Sequence, residues 1–282
     1  MPQLQLRKFD ITSIAQDKVV VMIGKRDTGK SFLVRDLLYH QRDMPIGTVI
    51  SPTETANKFF GHIVPPLFIH DDYSPGIIEN VVKRQKIIMK TIDKQRRVTG
   101  NSNIDPRSFL LFDDLMFDSH KWVKDKNVKL LFMNGRHYKI MFIITMQFPL
   151  GIPPSLRTQI DYVFILRENI TNNRKRIYDN YAGMFPTFEV FCQVLDQCTE
   201  NYECIVINNN AKSNRLEDQV FWYKAESRTN FRIGARDFWD LSASMCNDSD
   251  DEDEVEMYDA STVSKARKGP VVSVRKAGTN GR

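Results

Sequence analysis

Apolar residues follow two rhythms along this chain. Unbroken runs, KVVVMI at 18–23, TVIS at 48–51, SFLLF at 108–112, YKIMFIIT at 138–145 and YVFIL at 162–166, alternate with stretches where apolar positions recur every three or four residues. A short run that is apolar throughout and rich in Val and Ile predicts a strand buried on both faces, as in a parallel sheet. The three-to-four spacing predicts helices over 31–40, 76–97, 171–182 and 187–198. In the longest, Ile77, Val81, Val82, Ile88, Met89 and Ile92 mark an inner face, and Lys83, Arg84, Lys86, Lys90, Lys94, Arg96 and Arg97 mark the other. Further strands are expected at 203–208 and 219–224, and a short edge strand at Leu4–Arg7. Residues 99–107 and the Pro/Gly-rich stretch 148–154 predict loops. Strands alternating with helices imply an α/β fold with a mostly parallel central sheet and helices on both faces.

This pattern divides the chain into a lead-in over 1–17, an α/β domain over 18–241 and a tail over 242–282. The tail is expected to be disordered, because it has few apolar residues to bury. Its charge is segregated: eight acids and no bases from Asp248 to Asp259, then six bases and no acids from Lys265 to Arg282. Without these blocks the chain holds 34 bases and 27 acids, a body of about +7, which suits a nucleic-acid partner without requiring one. No apolar run approaches the length of a membrane span, and the N-terminal MPQLQLRKFD lacks the apolar stretch of a secretory signal. The chain is therefore expected in a reducing intracellular compartment. Cys192, Cys198 and Cys204 are spaced too widely for a common zinc site and read as free thiols.

The strongest chemical signal is Gly24-Lys25-Arg26-Asp27-Thr28-Gly29-Lys30-Ser31, which fits G-x-x-x-x-G-K-[ST] between a buried strand and a helix. The glycines let the backbone curl so that its N–H groups face phosphates, and the helix start adds its positive dipole end. Lys30 can reach the β- and γ-phosphates, and the Ser31 hydroxyl can ligand Mg²⁺. The residues therefore call for ATP and Mg²⁺ as ligands.

The second signal is SFLLF followed by Asp113-Asp114. Strand carboxyl ends line the ligand crevice of open α/β sheets. Two carboxylates there fit a metal-orienting residue, Asp113, and a general base, Asp114. The plainer alternative is a strand end reaching solvent or capping the next helix. The third signal is Arg136-His137 before an apolar run that ends at Gln147. If this strand lies between the other two, Gln147 sits near a γ-phosphate and Arg136 lies at the far end, where it faces a neighbouring subunit. An arginine supplied in trans contributes about 10³–10⁵ in rate. Plainer readings are a surface ion pair for Arg136 and a loop-ordering amide for Gln147; Arg157 and Arg167 are rival fingers. Trp122 with Lys121, Lys124 and Lys126 suggests a nucleic-acid loop or, equally, a solvated helix start. The basic face of 76–97 is a second such candidate.

GKRDTGKS at 24–31, FLLFDD at 109–114, and Arg136-His137 with a strand ending in Gln147 together resemble the genome-packaging ATPases of large nucleocytoplasmic DNA viruses, the poxvirus type. These are a branch of the FtsK/HerA-like P-loop ATPases, and the resemblance covers roughly 15–225. It implies a sheet with the Gln147 strand between the phosphate-loop and Asp113 strands. It also implies a homo-oligomeric ring that drives double-stranded DNA into a capsid, with a capsid or portal protein as a further partner. The setting would be the host cytoplasm at virus assembly sites, or the virion. The site roles it implies are phosphate and metal binding by Lys30 and Ser31, Mg²⁺ orientation by Asp113, base for Asp114, sensor for Gln147 and trans finger for Arg136. The wider group usually has Asp-Glu where this chain has Asp113-Asp114. The alternatives to a DNA-translocating ATPase are a P-loop kinase of a small molecule such as a nucleotide, and a nucleotide-gated scaffold that does not pump.

Overall fold

The computed structural model describes residues 4–115 and 119–249. The strands are β1 (Arg7–Lys8), β2 (Val19–Ile23), β3 (Ile46–Ile50), β4 (Ile69–His70), β5 (Ser108–Asp113), β6 (Ile140–Met146), β7 (Tyr162–Ile165), β8 (Glu203–Asn208) and β9 (Val220–Lys224). They form one sheet in the order β1-β9-β8-β7-β2-β6-β5-β3-β4. The strand leading to Gln147 thus lies between the strand leading to the Gly24–Ser31 loop and the strand ending in Asp113. The sheet is mostly parallel; β8 alone runs antiparallel to both neighbours, β7 and β9. The reason lies in the connection. Two helices, Thr171–Tyr181 and Phe188–Cys198, follow β7, so the chain returns to the edge it left before β8 begins.

Residues β2, β5 and β6 are buried along their whole length, as their unbroken apolar runs require. The pleat sends alternate side chains into two layers. Val19, Val21 and Ile23 join the layer covered by the helices Pro75–Thr99, Lys126–Asn134, Thr171–Tyr181 and Phe188–Cys198. Val20 and Met22 join the layer that contains Leu33, Val34, Leu37 and Leu38 of the helix Lys30–His40. Gly47 on β3 is needed for this packing: a Cβ there would fall 1.8 Å from Cε1 of Phe109 on β5. A compact unit runs through Ala243.

Most expected elements are present, with informative differences. The expected edge strand at Leu4–Arg7 is a two-residue pairing of Arg7 and Lys8 with Phe221 and Trp222. The helix Lys126–Asn134 was not anticipated, although Asp125 caps it by accepting from the Asn127 N–H and Val128, Leu131 and Phe132 are buried at helical spacing. The last helix, Arg236–Ser249, passes the boundary expected at 241. The charged blocks of the expected tail lie largely outside the described residues; only Asp248 falls within them. No helix among the described residues is long and apolar enough to cross a membrane.

Candidate nucleotide site at the carboxyl edge of the sheet

Parallel strands β2, β6 and β5 end side by side, with Ile23 beside Met146 and Asp113 beside Thr145. Everything that follows them is therefore brought to one edge. After β2 the chain curls through Asp27 at φ +60 and Gly29 at φ +100 into the helix Lys30–His40. Gly24 cannot carry a side chain: a Cβ would lie 2.7 Å from Thr28 Oγ1 and 2.8 Å from Leu166 Cβ. Within the loop, Thr28 Oγ1 donates to the Lys25 carbonyl at 2.7 Å, and Lys30 Nζ donates to the carbonyls of Gly24 and Lys25 at 2.7 and 2.8 Å. Lys25 is anchored outside by Glu168 at 2.7 Å, a buried carboxylate that also accepts from the Ile170 N–H.

Across the crevice, Asp113 is only 9% exposed. The Ser51 and Thr145 hydroxyls donate to its two oxygens at 2.9 and 2.7 Å. Burial nonetheless dominates and pushes its carboxyl above the ordinary aspartate range, with those two bonds and Lys30 pulling the other way. Lys30 shows the converse: burial lowers its pKa, against the pull of Asp114, Asp113 and Asp27. Asp114 follows at φ +54, its N–H donating to Thr145 Oγ1 at 3.0 Å. Non-glycine residues held at positive φ cluster at functional sites. Gln147 Nε2 donates to Asp114 Oδ2. One constellation thus joins Lys30, Asp113, Asp114 and Gln147, and Ser31 lies exposed beside it at the helix start.

No protein-family model matches the chain. Protein L437 of Acanthamoeba polyphaga mimivirus is 41% identical over 246 residues, spanning 87% of this chain and 85% of its own length. Protein 075L of Invertebrate iridescent virus 6 is 41% identical over 224 residues, 77% of this chain and 81% of its own. The chain belongs to this family of large DNA virus proteins. Its fold is that of P-loop ATPases: EssC (ATPases 2 and 3) from Geobacillus thermodenitrificans superposes with a TM-score of 0.50 over 82% of this chain and 44% of that one, at 13% identity. The genome-packaging NTPase B204 of Sulfolobus turreted icosahedral virus 2 aligns with a TM-score of 0.49 over 76% of this chain and all of that one, at 16% identity.

Other singled-out residues of this family member lie elsewhere. Arg136 is exposed in the turn Gly135–Tyr138 that precedes β6, at the opposite, amino edge of the sheet. It lines a cavity of about 220 Å³ there with Asp17, Lys18, Gln159 and Asp161. Arg157 donates to Asn180 Oδ1 and lies over the Tyr181 ring, while Arg167 is exposed just after β7 on the Gly24 side. The suggested nucleic-acid role of Trp122 is overturned. Its side chain is 1% exposed, its Nε1 donates to the Leu115 carbonyl at 3.0 Å, and its ring meets Phe112. An indole in the core cannot stack on a base. Phe117 and Asp118 of that segment lie outside the described residues. Sequence reasoning missed Ser51, Thr145 and Glu168. The first two carried a signal, since each stands at or next to the carboxyl end of an apolar run.

Proposed function

We propose that this protein hydrolyses ATP to move double-stranded DNA into a capsid, acting as a homo-oligomeric ring. The observation that carries the ATPase reading is the convergence of Lys30, Asp113, Asp114 and Gln147 where three adjacent parallel strands end. Membership of a family of viral proteins and the P-loop ATPase fold support the packaging role.

The Gly24–Ser31 backbone would cradle the phosphates, with Lys25, Arg26, Asp27 and Thr28 shaping the loop. Lys30 would leave the Gly24 and Lys25 carbonyls for the β- and γ-phosphates. The donor set fits Mg²⁺: the Asp113 carboxylate and Ser31 hydroxyl are hard oxygens, and a buried carboxylate with a raised pKa suits a cation neighbour. Bound with nucleotide, that ion supplies neutralisation of the phosphate charge. Asp114 would take the proton of the attacking water. Gln147, which binds Asp114 in this structure, would report loss of the γ-phosphate to the rest of β6 and, through it, to the amino edge. Arg136 would act on a neighbouring subunit's nucleotide.

The test is steady-state ATP hydrolysis by the full chain with and without double-stranded DNA, at several protein concentrations. Stimulation by DNA and a specific activity that rises with assembly are expected. A rate indifferent to DNA but raised by a small phosphoryl acceptor would replace this reading with a kinase.

A further inference from the structure

The turn that leads into β8 stands beside the phosphate loop, and its composition is unexpected. The Glu203 N–H donates to the Glu200 carbonyl at 2.9 Å, closing a four-residue turn around Asn201 and Tyr202. Both central residues are left-handed, at φ +51 and φ +64. This is the type I′ geometry, for which Asn-Gly is the relaxed pair. Asparagine tolerates its position; an aromatic residue at the next one is strained. Packing does not explain the choice, because Tyr202 is 68% exposed, the highest exposure among the large aromatic side chains of the described residues.

The ring does have a neighbour. A Cβ built on Gly29 would lie 3.5 Å from Tyr202 Cδ1 and 3.7 Å from Tyr202 Cβ. Leu166, buried, is a further neighbour, with Cδ2 3.8 Å from the same point and its Cβ 2.8 Å from where a Cβ on Gly24 would fall. An open aromatic face is thus held in van der Waals reach of the loop, by a backbone conformation that its residue type disfavours. Bases offer π-faces to such rings, and the binding is worth having only where the rest of the ligand is already anchored.

We propose that Tyr202 stacks on the nucleobase of the nucleotide whose phosphates the Gly24–Ser31 loop holds, and that it favours purine over pyrimidine nucleoside triphosphates through the larger ring overlap. This rests on the reading of that loop as a nucleotide site. The two can be separated, because stacking concerns the base and the loop concerns the phosphates.

The experiment is calorimetric titration of the full chain with ATP, CTP and inorganic tripolyphosphate, all with Mg²⁺, for wild type, Tyr202→Gly, Tyr202→Phe and Lys30→Ala. Glycine relaxes the turn, so thermal unfolding of Tyr202→Gly should be unchanged or higher, which excludes misfolding as the cause of a loss. Expected are ATP binding about 10- to 100-fold weaker in Tyr202→Gly, a narrowed ATP-to-CTP ratio, unchanged tripolyphosphate binding, and retention of ATP affinity in Tyr202→Phe. Wild-type ATP affinity in Tyr202→Gly, or equal weakening of ATP and tripolyphosphate, would overturn the stacking role while leaving the loop reading intact if Lys30→Ala still loses both ligands. Absence of binding of either ligand by the wild type would overturn the nucleotide site and the stacking role together.

Discussion

At the amino edge of the sheet charges meet charges: Lys18 pairs with Asp161 at 3.0 Å, Lys139 with Asp17 at 3.1 Å, and Arg107 with Asp43 at 2.8 Å. At the carboxyl edge one such pair, Lys25 with Glu168 at 2.7 Å, holds the loop from outside, but the charges inside the crevice have no ion-pair contact of that kind. Lys30 rests on two carbonyls and Asp113 on two hydroxyls, and burial moves the pKa of each toward its neutral form. Paired charges of opposite sign in contact relieve each other's desolvation; charges hydrogen-bonded to dipoles and attracted only at a distance keep more of that cost. One edge is therefore settled in the folded chain by itself, and the other suits the proposed nucleotide and its cation. Arg136 is the exception at the amino edge. It is exposed, and its guanidinium has no hydrogen-bond or ion-pair partner among the described residues, which is what an arginine reserved for another molecule would look like.

Arg136→Ala is the change that would most disturb this contrast. If the amino edge of one subunit completes the site of the next, the substitution should lower kcat by about 10³–10⁵ without altering unfolding temperature. Mixing with an excess of Asp114→Asn chains, which keep Arg136, should restore part of the rate. A fully active Arg136→Ala would return this residue to the ordinary surface and leave Arg167 as the exposed arginine to test. Next in size is Asp114→Asn, expected to cost about 10²–10⁴ in hydrolysis through loss of the base while ATP binding persists. Equal loss of binding would instead mean that Asp114 holds the loop through Lys30 and Gln147.

The amino edge should answer in stability. Asp161 accepts from the Val19 N–H at 2.8 Å as well as from Lys18, so Asp161→Ala strips a partner from the backbone at the start of β2. A loss of about 1–3 kcal/mol in denaturant unfolding is expected, with hydrolysis per folded subunit unchanged. Reduced hydrolysis in chains that remain folded would show that the two edges are coupled through β2.

How far these features were legible depends on whether a signal is local. The phosphate loop and the strand end at Asp113 follow from runs of adjacent residues whose physics is nearly context-free, whereas the order of the central strands comes only from the family resemblance. Trp122 was misread because its neighbours in sequence are lysines while its neighbours in space are Phe112 and the Leu115 carbonyl. Burial of one side chain on a charged segment is a tertiary fact. The Ser51–Asp113–Thr145 triplet joins three strands, and its hydroxyls stand apart in sequence by 62 and 32 residues from the carboxylate they serve. The antiparallel β8 needed the count of helices before it, and the strain at Tyr202 needed the turn type. Neither is written in the residues of the element itself.

The smallest effect expected is also the one that tests the contrast in its simplest form. In the nucleotide-free chain the Asp113 carboxylate is a net burden, since burial outweighs its two hydrogen bonds. Asp113→Asn removes the charge and keeps the shape; the Ser51 and Thr145 hydroxyls can turn to accept from or donate to the amide. The variant should be slightly more stable to unfolding than wild type and bind Mg²⁺–ATP poorly. The pH dependence fixes the sign. Because the native pKa is raised, there is a window above the ordinary aspartate value in which unfolded chains have released a proton that the native state retains. Through that window wild-type stability falls as pH rises; below it both states are protonated and the burden vanishes. The gap between Asp113→Asn and wild type should therefore open with rising pH and close again on adding Mg²⁺–ATP to the wild type. A gap that is constant across pH would mean that the hydroxyl pair already satisfies the ionised carboxylate, and the carboxyl edge would then be as settled without its ligand as the amino edge is.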